Sequence, residues 1–199
     1  TLPDSSIPTE EIKIKIPLGD PAFDPFLTGE QEINLRRTTF DGTTGTDAAN
    51  PLRHPNLVTT FMDASMVYGS DATRANALRT LDGTGKLKVS AGDLLPLNSV
   101  AYFAGGPLAN NNRSLNDPSE LFAAGDVRAN ENIGLTSLHT VFMREHNRLA
   151  EDISTANPGL TGEEIYQQAR KLVSAQIQHI TYQEYLPLLL GQGAIATYS

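Results

Sequence analysis

The sequence predicts a mainly α fold with long connecting loops and little β structure. Two observations predict it. Apolar residues recur at 3, 4, 4, 3, 4 spacing through Leu135, Leu138, Phe142, His146, Leu149 and Ile153, which is one face of a helix. A second stripe of the same period runs through Ile165, Ala169, Leu172, Val173, Ile177 and Ile180. By contrast, the first 57 residues hold seven of the twelve prolines and a Gly/Thr/Asp-rich stretch from Asp41 to Asn50. So much loop before any helix is unusual for a free-standing domain, and such a segment normally wraps over something else.

Taken in order, Ile12, Ile14 and Ile16 alternate with Lys13 and Lys15, a short strand. Pro17, Gly19, Asp20 and Pro21 end it with turn chemistry. Leu57 to Tyr68 is uncharged apart from Asp63. Ala72 to Leu81 reads as a short helix with Asp71 or Ser70 as N-cap, stopped by Asp82-Gly83 and Thr84-Gly85. Lys86 to Val89 reads as a brief strand, and Gly92 to Ser119 as loop containing the sequon Asn112-Arg113-Ser114. Asn157-Pro158-Gly159 ends the first long helix. Thr161-x-x-Glu164 is a capping box that opens the second, and Pro187 and Gly191 close it. There is no internal repeat.

Fifteen Lys and Arg against 23 Asp and Glu give a net charge of −8. That balance argues against nucleic-acid binding, which needs clustered positive charge. No apolar run reaches the ~18 residues of a membrane span. Zero Cys excludes disulfides, thiolate metal sites and cysteine nucleophiles. A chain starting at Thr1 rather than Met is expected to be a processed or excised piece.

Two stretches carry candidate chemistry. In an extended Thr59 to Ser65, alternate residues point the same way, so Thr59, Asp63 and Ser65 offer two hydroxyls and a carboxylate with the Phe61 carbonyl between them. Hard oxygens suit Ca²⁺, although one carboxylate falls short of its usual ~6–8 oxygen ligands and the same letters make an ordinary turn. In Gly125 to Glu131, Arg128 and Glu131 stand three apart and would share a helical face. They read either as a surface ion pair or as a guanidinium aimed at an oxygen substrate in a pocket. His139 and His146 are seven apart on one helix, too far for a compact metal pair. His146, on the apolar stripe, reads as a hydrogen-bonded core residue. His54 and His179 have no partner legible in the sequence.

At the level of whole motifs, Phe122 to Ile153 (FAAGDVRANENIGLTSLHTVFMREHNRLAEDI) resembles the central signature of animal-type haem peroxidases. TTFMDASMVYGS from Thr59 resembles that family's calcium loop, KIPLGDP from Lys15 is similar to a turn before it, and ITYQEYLPLLLG from Ile180 resembles the end of a long family helix. The motifs run in family order from Lys15 to Gly191, and zero Cys points to a bacterial member. The resemblance implies a portion of the peroxidase helical domain, with residues 1–199 its central part. It implies Arg128 as the distal arginine beside the peroxide site and Glu131 as the carboxylate able to esterify a haem methyl. Asn132 stands where myeloperoxidase has a sulfonium-forming Met. The implied calcium ligands are Thr59, Phe61 through its carbonyl, Asp63 and Ser65.

The family's distal His precedes the KIPLGDP-like turn and its proximal His follows the YLPLLLG-like segment. None of the four histidines here takes either place. Both are expected from remaining segments of the same peroxidase, as is a second calcium carboxylate. The implied activity uses haem b and H₂O₂ to oxidise halide, thiocyanate or a phenolic donor, with a distal His moving the peroxide proton and Arg128 stabilising charge. This chain alone is expected to be inactive. A secreted protein and a link to oxidative stress are further expectations. The alternatives are a fatty-acid oxygenase of the same superfamily, or a haem-free calcium-binding helical fragment.

Overall fold

The computed structural model describes residues 10–56, 59–111 and 116–194. The sequon at Asn112 and residues Leu57 and Val58 lie outside the described residues. The chain divides into two compact units, the first ending at Leu57 and the second beginning at Val58.

In the first unit, β1 (Glu11–Lys15) pairs antiparallel with β2 (Glu32–Arg36), with Ile12 opposite Leu35 and Ile14 opposite Ile33. The ribbon is largely exposed, so charge helps set its register: Arg36 meets Glu11 at 3.1 Å and Lys13 meets Glu32 at 3.1 Å. The connection is organised by Asp24, which is buried. Its carboxylate accepts from Thr28 Oγ1 at 2.7 Å and from the backbone N–H groups of Thr28 and Gly29 at 2.9 Å and of Gly19 at 3.2 Å. The Thr28 hydroxyl, followed by these amides, holds the Asp24 carboxyl down at about 2.

The second unit contains α1 (Ser65–Tyr68), α2 (Ala72–Leu78), a 3₁₀ turn at Pro118–Glu120, α3 (Ile133–Ala156), α4 (Gly162–His179), a π-helical stretch (Ile180–Tyr185) and α5 (Leu186–Leu190). The fold is thus mainly helical, as the periodicity predicts. Asp71 caps α2, accepting from the Arg74 N–H. Both halves of the predicted capping box open α4. α4 does not end at Pro187. It passes through the π stretch into α5, which contains Pro187 and is closed by Gly191 at φ 95°. Lys86 to Val89 forms no strand; the ladder there is a single bridge from Arg79 to Leu87.

α3 and α4 pack together around Ala150, Ile165 and Ala169, and Gln176 donates to Glu145 across the pair at 2.7 Å. The buried line of α3 is His139, Met143, His146 and Ala150, rotated from the predicted stripe. Leu138 is half-exposed, as are Val141 on α3 and Leu172 on α4. The apolar set on α3 is wide enough for two faces, and one of them remains uncovered by the described residues.

His146 sits at the centre of the core. Its Nε2–H donates to the Gly85 carbonyl at 2.9 Å, so Nδ1 is the acceptor and takes the Tyr68 hydroxyl at 2.8 Å. Tyr68 and Tyr166 meet its ring edge-on, with centroids 5.3 Å away in each case. Burial pushes the His146 imidazole down to about 4. The structural role read from the sequence is the one observed.

Candidate functional site

Residues 125–132 form a turn rather than a helix, and α3 starts only after Asn132, whose side chain caps it by accepting from the Leu135 N–H. Four tethers pin the turn. The Asp126 N–H donates to the Met66 carbonyl of α1 at 2.9 Å, and the Val127 carbonyl accepts from the Asn111 N–H at 2.8 Å. The Ala129 carbonyl accepts from the Thr136 hydroxyl at 2.7 Å. Asn130 accepts from the Phe122 N–H at 3.0 Å and donates to the Phe122 carbonyl at 2.8 Å, replacing a strand neighbour. Gly125 makes the first tether possible, because an added Cβ would lie 2.5 Å from Ser65 O and 2.5 Å from Gly69 N.

With Ala129 buried and Asn130 facing inward, Arg128 and Glu131 are left exposed on the outer side of the turn. The Glu131 N–H closes the turn on the Arg128 carbonyl at 2.9 Å. The ion partner of Arg128 is not Glu131 but Asp126, two residues back: Nε–H donates to Oδ1 at 2.9 Å and an Nη2–H donates to Oδ2 at 2.6 Å. Asp126 Oδ1 also accepts the Arg128 backbone N–H at 2.8 Å. The Arg128 hydrogen bond holds the Asp126 carboxyl down at about 2, and Asp126 in turn raises Arg128. Both stay charged at any working pH. Sequence reasoning gave Asp126 no part; the signal was an Asp two residues before an Arg in a turn, where the carboxylate folds back on nearby N–H groups.

Thr59 to Ser65 is an irregular loop leading straight into α1. Thr59 Oγ1 accepts from the Phe61 N–H at 3.1 Å and Asp63 Oδ1 from the Ser65 N–H at 3.0 Å. α4 holds the loop through Ser174, donating to the Asp63 carbonyl at 3.1 Å, and Gln178, donating to the Met62 carbonyl at 2.8 Å. Ala64 adopts φ 58°, a left-handed conformation rare outside glycine. The donor chemistry, two hydroxyls, a carbonyl and a carboxylate, fits a hard cation but does not complete a calcium shell. Among the described residues no three His, Cys, Asp or Glu side chains gather. Asp126, tethered to Met66, and Ser65, at the start of α1, bring this loop and the Arg128 turn to the same short helix.

The histidines set the limits on haem. Both ring nitrogens of His146 are committed to the core. His139 donates Nδ1–H to the Leu135 carbonyl at 2.7 Å, and its Nε2 is buried without a partner in a small space lined by Val67, Leu78, Leu95 and Met143. His54 is exposed and donates to the Thr39 carbonyl at 2.8 Å. Neither buried imidazole offers a nitrogen to an iron outside the core. The exposed Arg128 offers hydrogen-bond donors, and the exposed Glu131 a carboxylate, on the outer side of the same turn.

A family profile, animal haem peroxidase, matches residues 3–199. The human peroxidasin homolog is 43% identical over 154 residues, covering 74% of this chain and 10% of its own length. Human myeloperoxidase is 44% identical over 150 residues, covering 72% of this chain and 20% of its own. Among solved structures, peroxidase A from Dictyostelium discoideum superposes with TM-score 0.74 at 32% identity, covering 89% of this chain and 36% of its own. Fatty acid alpha-dioxygenase from Oryza sativa has the same fold, with TM-score 0.61 at 24% identity over 92% of this chain and 26% of its own. The chain therefore spans a fifth or less of these two curated relatives. A match along almost the whole sequence, and relatives above 40% identity, establish that the chain belongs to the animal haem peroxidase family.

Proposed function

We propose that residues 1–199 are the central part of a single haem peroxidase domain, which uses H₂O₂ to oxidise halide, thiocyanate or a small organic donor. Arg128 carries this reading: a half-exposed guanidinium, gripped by Asp126 on a turn tethered at four points, in a chain of this family. Haem b, when bound, supplies the redox chemistry that splits the peroxide bond. Arg128 commits two N–H groups to Asp126 and leaves the rest of its fork to donate to the separating peroxide oxygens. Glu131, exposed on the same turn, is the carboxylate proposed to bind haem through an ester to a methyl carbon; the new C–O bond would replace a methyl C–H bond, with H₂O₂ as the two-electron oxidant, reduced to water. The distal and axial histidines are proposed to come from other segments of the same peroxidase. A location outside the cytoplasm belongs to the same proposal and is checked by recovering the protein from the culture medium; no described helix is long and apolar enough to cross a membrane.

The test uses the haem-loaded peroxidase together with the segments that supply the distal and axial histidines. Arg128→Ala is expected to lower peroxide turnover by about 10²–10³-fold while the Soret band persists. Unchanged turnover overturns the assignment, and purified protein that never shows a Soret band favours a haem-free calcium-binding module. A haem mass that survives denaturation in the wild type and is lost in Glu131→Gln supports the ester. The fatty-acid oxygenase alternative is less favoured, because the likeness to alpha-dioxygenases, at 24% identity, reaches the fold alone.

For the metal loop, Thr59, the Phe61 carbonyl, Asp63 and Ser65 are proposed as four Ca²⁺ ligands, completed by a carboxylate from elsewhere in the peroxidase. The left-handed Ala64 supports this, since such strain gathers at ligand clamps. Asp63→Ala is expected to lower bound calcium, read by elemental analysis, and to lower the melting temperature. Undiminished calcium removes the assignment.

A further inference from the structure

We propose that Asp126 is a positioning residue that fixes the guanidinium plane of Arg128 and links it to α1, the helix that follows the Thr59–Ser65 loop. The inference rests on the reading of Arg128 given above and assigns a role to a residue that reading does not use. An arginine side chain has freedom about four bonds, and an exposed one samples many directions. Here two points on the fork, Nε at 2.9 Å and Nη2 at 2.6 Å, are bound to the two oxygens of one carboxylate. Two parallel bonds to a planar group define a plane, whereas one would define only a distance. The bonds use one edge of the guanidinium, so Nη1 and the second Nη2 hydrogen point away from Asp126.

The carboxylate is itself held at both ends. Its Oδ1 also takes the Arg128 backbone N–H at 2.8 Å, which fixes its rotation within the turn. The Asp126 backbone N–H is bonded to Met66 at 2.9 Å, one residue beyond the last proposed calcium ligand, Ser65. An ordinary surface pair has neither anchor; the Asp126 side chain is only 21% exposed against 49% for Arg128. The less exposed, doubly anchored partner therefore orients the more exposed one.

The test compares wild type, Asp126→Asn, Asp126→Glu and Arg128→Ala in the haem-loaded peroxidase that includes the histidine-bearing segments. The rate of reaction with H₂O₂ is followed by stopped flow and fluoride affinity by the Soret shift. The guanidinium is read directly, and without haem, from the Arg128 Nε–H resonance in ¹⁵N-arginine-labelled protein. Asp126→Asn is expected to lose the exchange-protected Nε–H signal, slow the peroxide reaction by about tenfold to a hundredfold and weaken fluoride binding in step. Asp126→Glu keeps the charge and is expected to recover part of both, which a purely structural role in the turn would not produce. The positioning role is overturned if Asp126→Asn retains the protected resonance, or loses it with rate and fluoride affinity unchanged, while Arg128→Ala is slow. If Arg128→Ala leaves both quantities unchanged, the reading of Arg128 falls, and this inference with it.

Discussion

Gly125→Ala is expected to destabilise the protein by about 3 kcal/mol or more, at the upper end of what overpacking costs. A methyl there would stand 2.5 Å from Ser65 O, 2.5 Å from Gly69 N and 2.6 Å from Met66 O. All three are backbone atoms, so no side chain can rotate aside. Relief requires the turn and α1 to separate, which breaks the Asp126 to Met66 hydrogen bond and exposes Ala123 and Ala124, both buried. Gly159→Ala is the control, because a Cβ there meets nothing within 4 Å. Urea midpoints of the two variants decide the matter. Equal midpoints for both would mean that the close approach of the turn to α1 is not required for stability.

The second large effect is a loss of stability on mild acidification, from pH 6.5 down to 4. His146 titrates near 4 in the folded chain against 6.5 when free, chiefly because burial disfavours the imidazolium. The sign follows from proton uptake. Below 6.5 the unfolded chain binds a proton that the folded chain refuses, so acid favours unfolding, and the effect saturates near 4. The gap corresponds to about 3 kcal/mol at its full extent. Carboxylates such as Asp24, Asp82 and Asp126, held near 2, act in the same direction over a lower window: their contribution is present above the ordinary carboxylate range and lost only as pH falls toward 2. The two windows scarcely overlap. Denaturant midpoints at pH 7.5, 5.5 and 4 should fall for the wild type and stay flatter for His146→Gln, which cannot take up the proton. Parallel falls in both proteins would remove His146 as the cause.

Much of this was legible in the sequence where the signal is local. α3 and α4, the capping box at Thr161 and the cap at Asp71 follow from periodicity and from side chains bonding within a turn. β2 was not foreseen, although Ile33 and Leu35 alternate, because a five-residue strand takes its identity from a partner some twenty residues away. The expected facing of Arg128 and Glu131 assumed a helix; the chain makes a turn, and the i,i+2 geometry gives Arg128 to Asp126 instead. The buried line of α3 could not be picked from the composition of the helix, since Leu138 and Val141 are as apolar as Met143 and only tertiary packing selects among them. Hidden entirely were the long-range clamps: Asn98, buried, pairs with both backbone groups of Leu108, and Asn130 does the same for Phe122. An asparagine in a loop announces a turn, not its partner.

The four tethers on the Arg128 turn have a thermodynamic consequence. Each fixes backbone that would otherwise lose about 1–2 kcal/mol of conformational entropy per residue when something docks against it. Residues 126–130 have undergone that loss during folding, so a ligand docking at Arg128, as proposed, would meet a cation with its backbone already immobile. Only side-chain torsions remain to be restrained, and Asp126 removes most of those. The opposing cost falls on the stability of the chain itself, in the packing of Gly125 against α1, rather than on the encounter with the ligand.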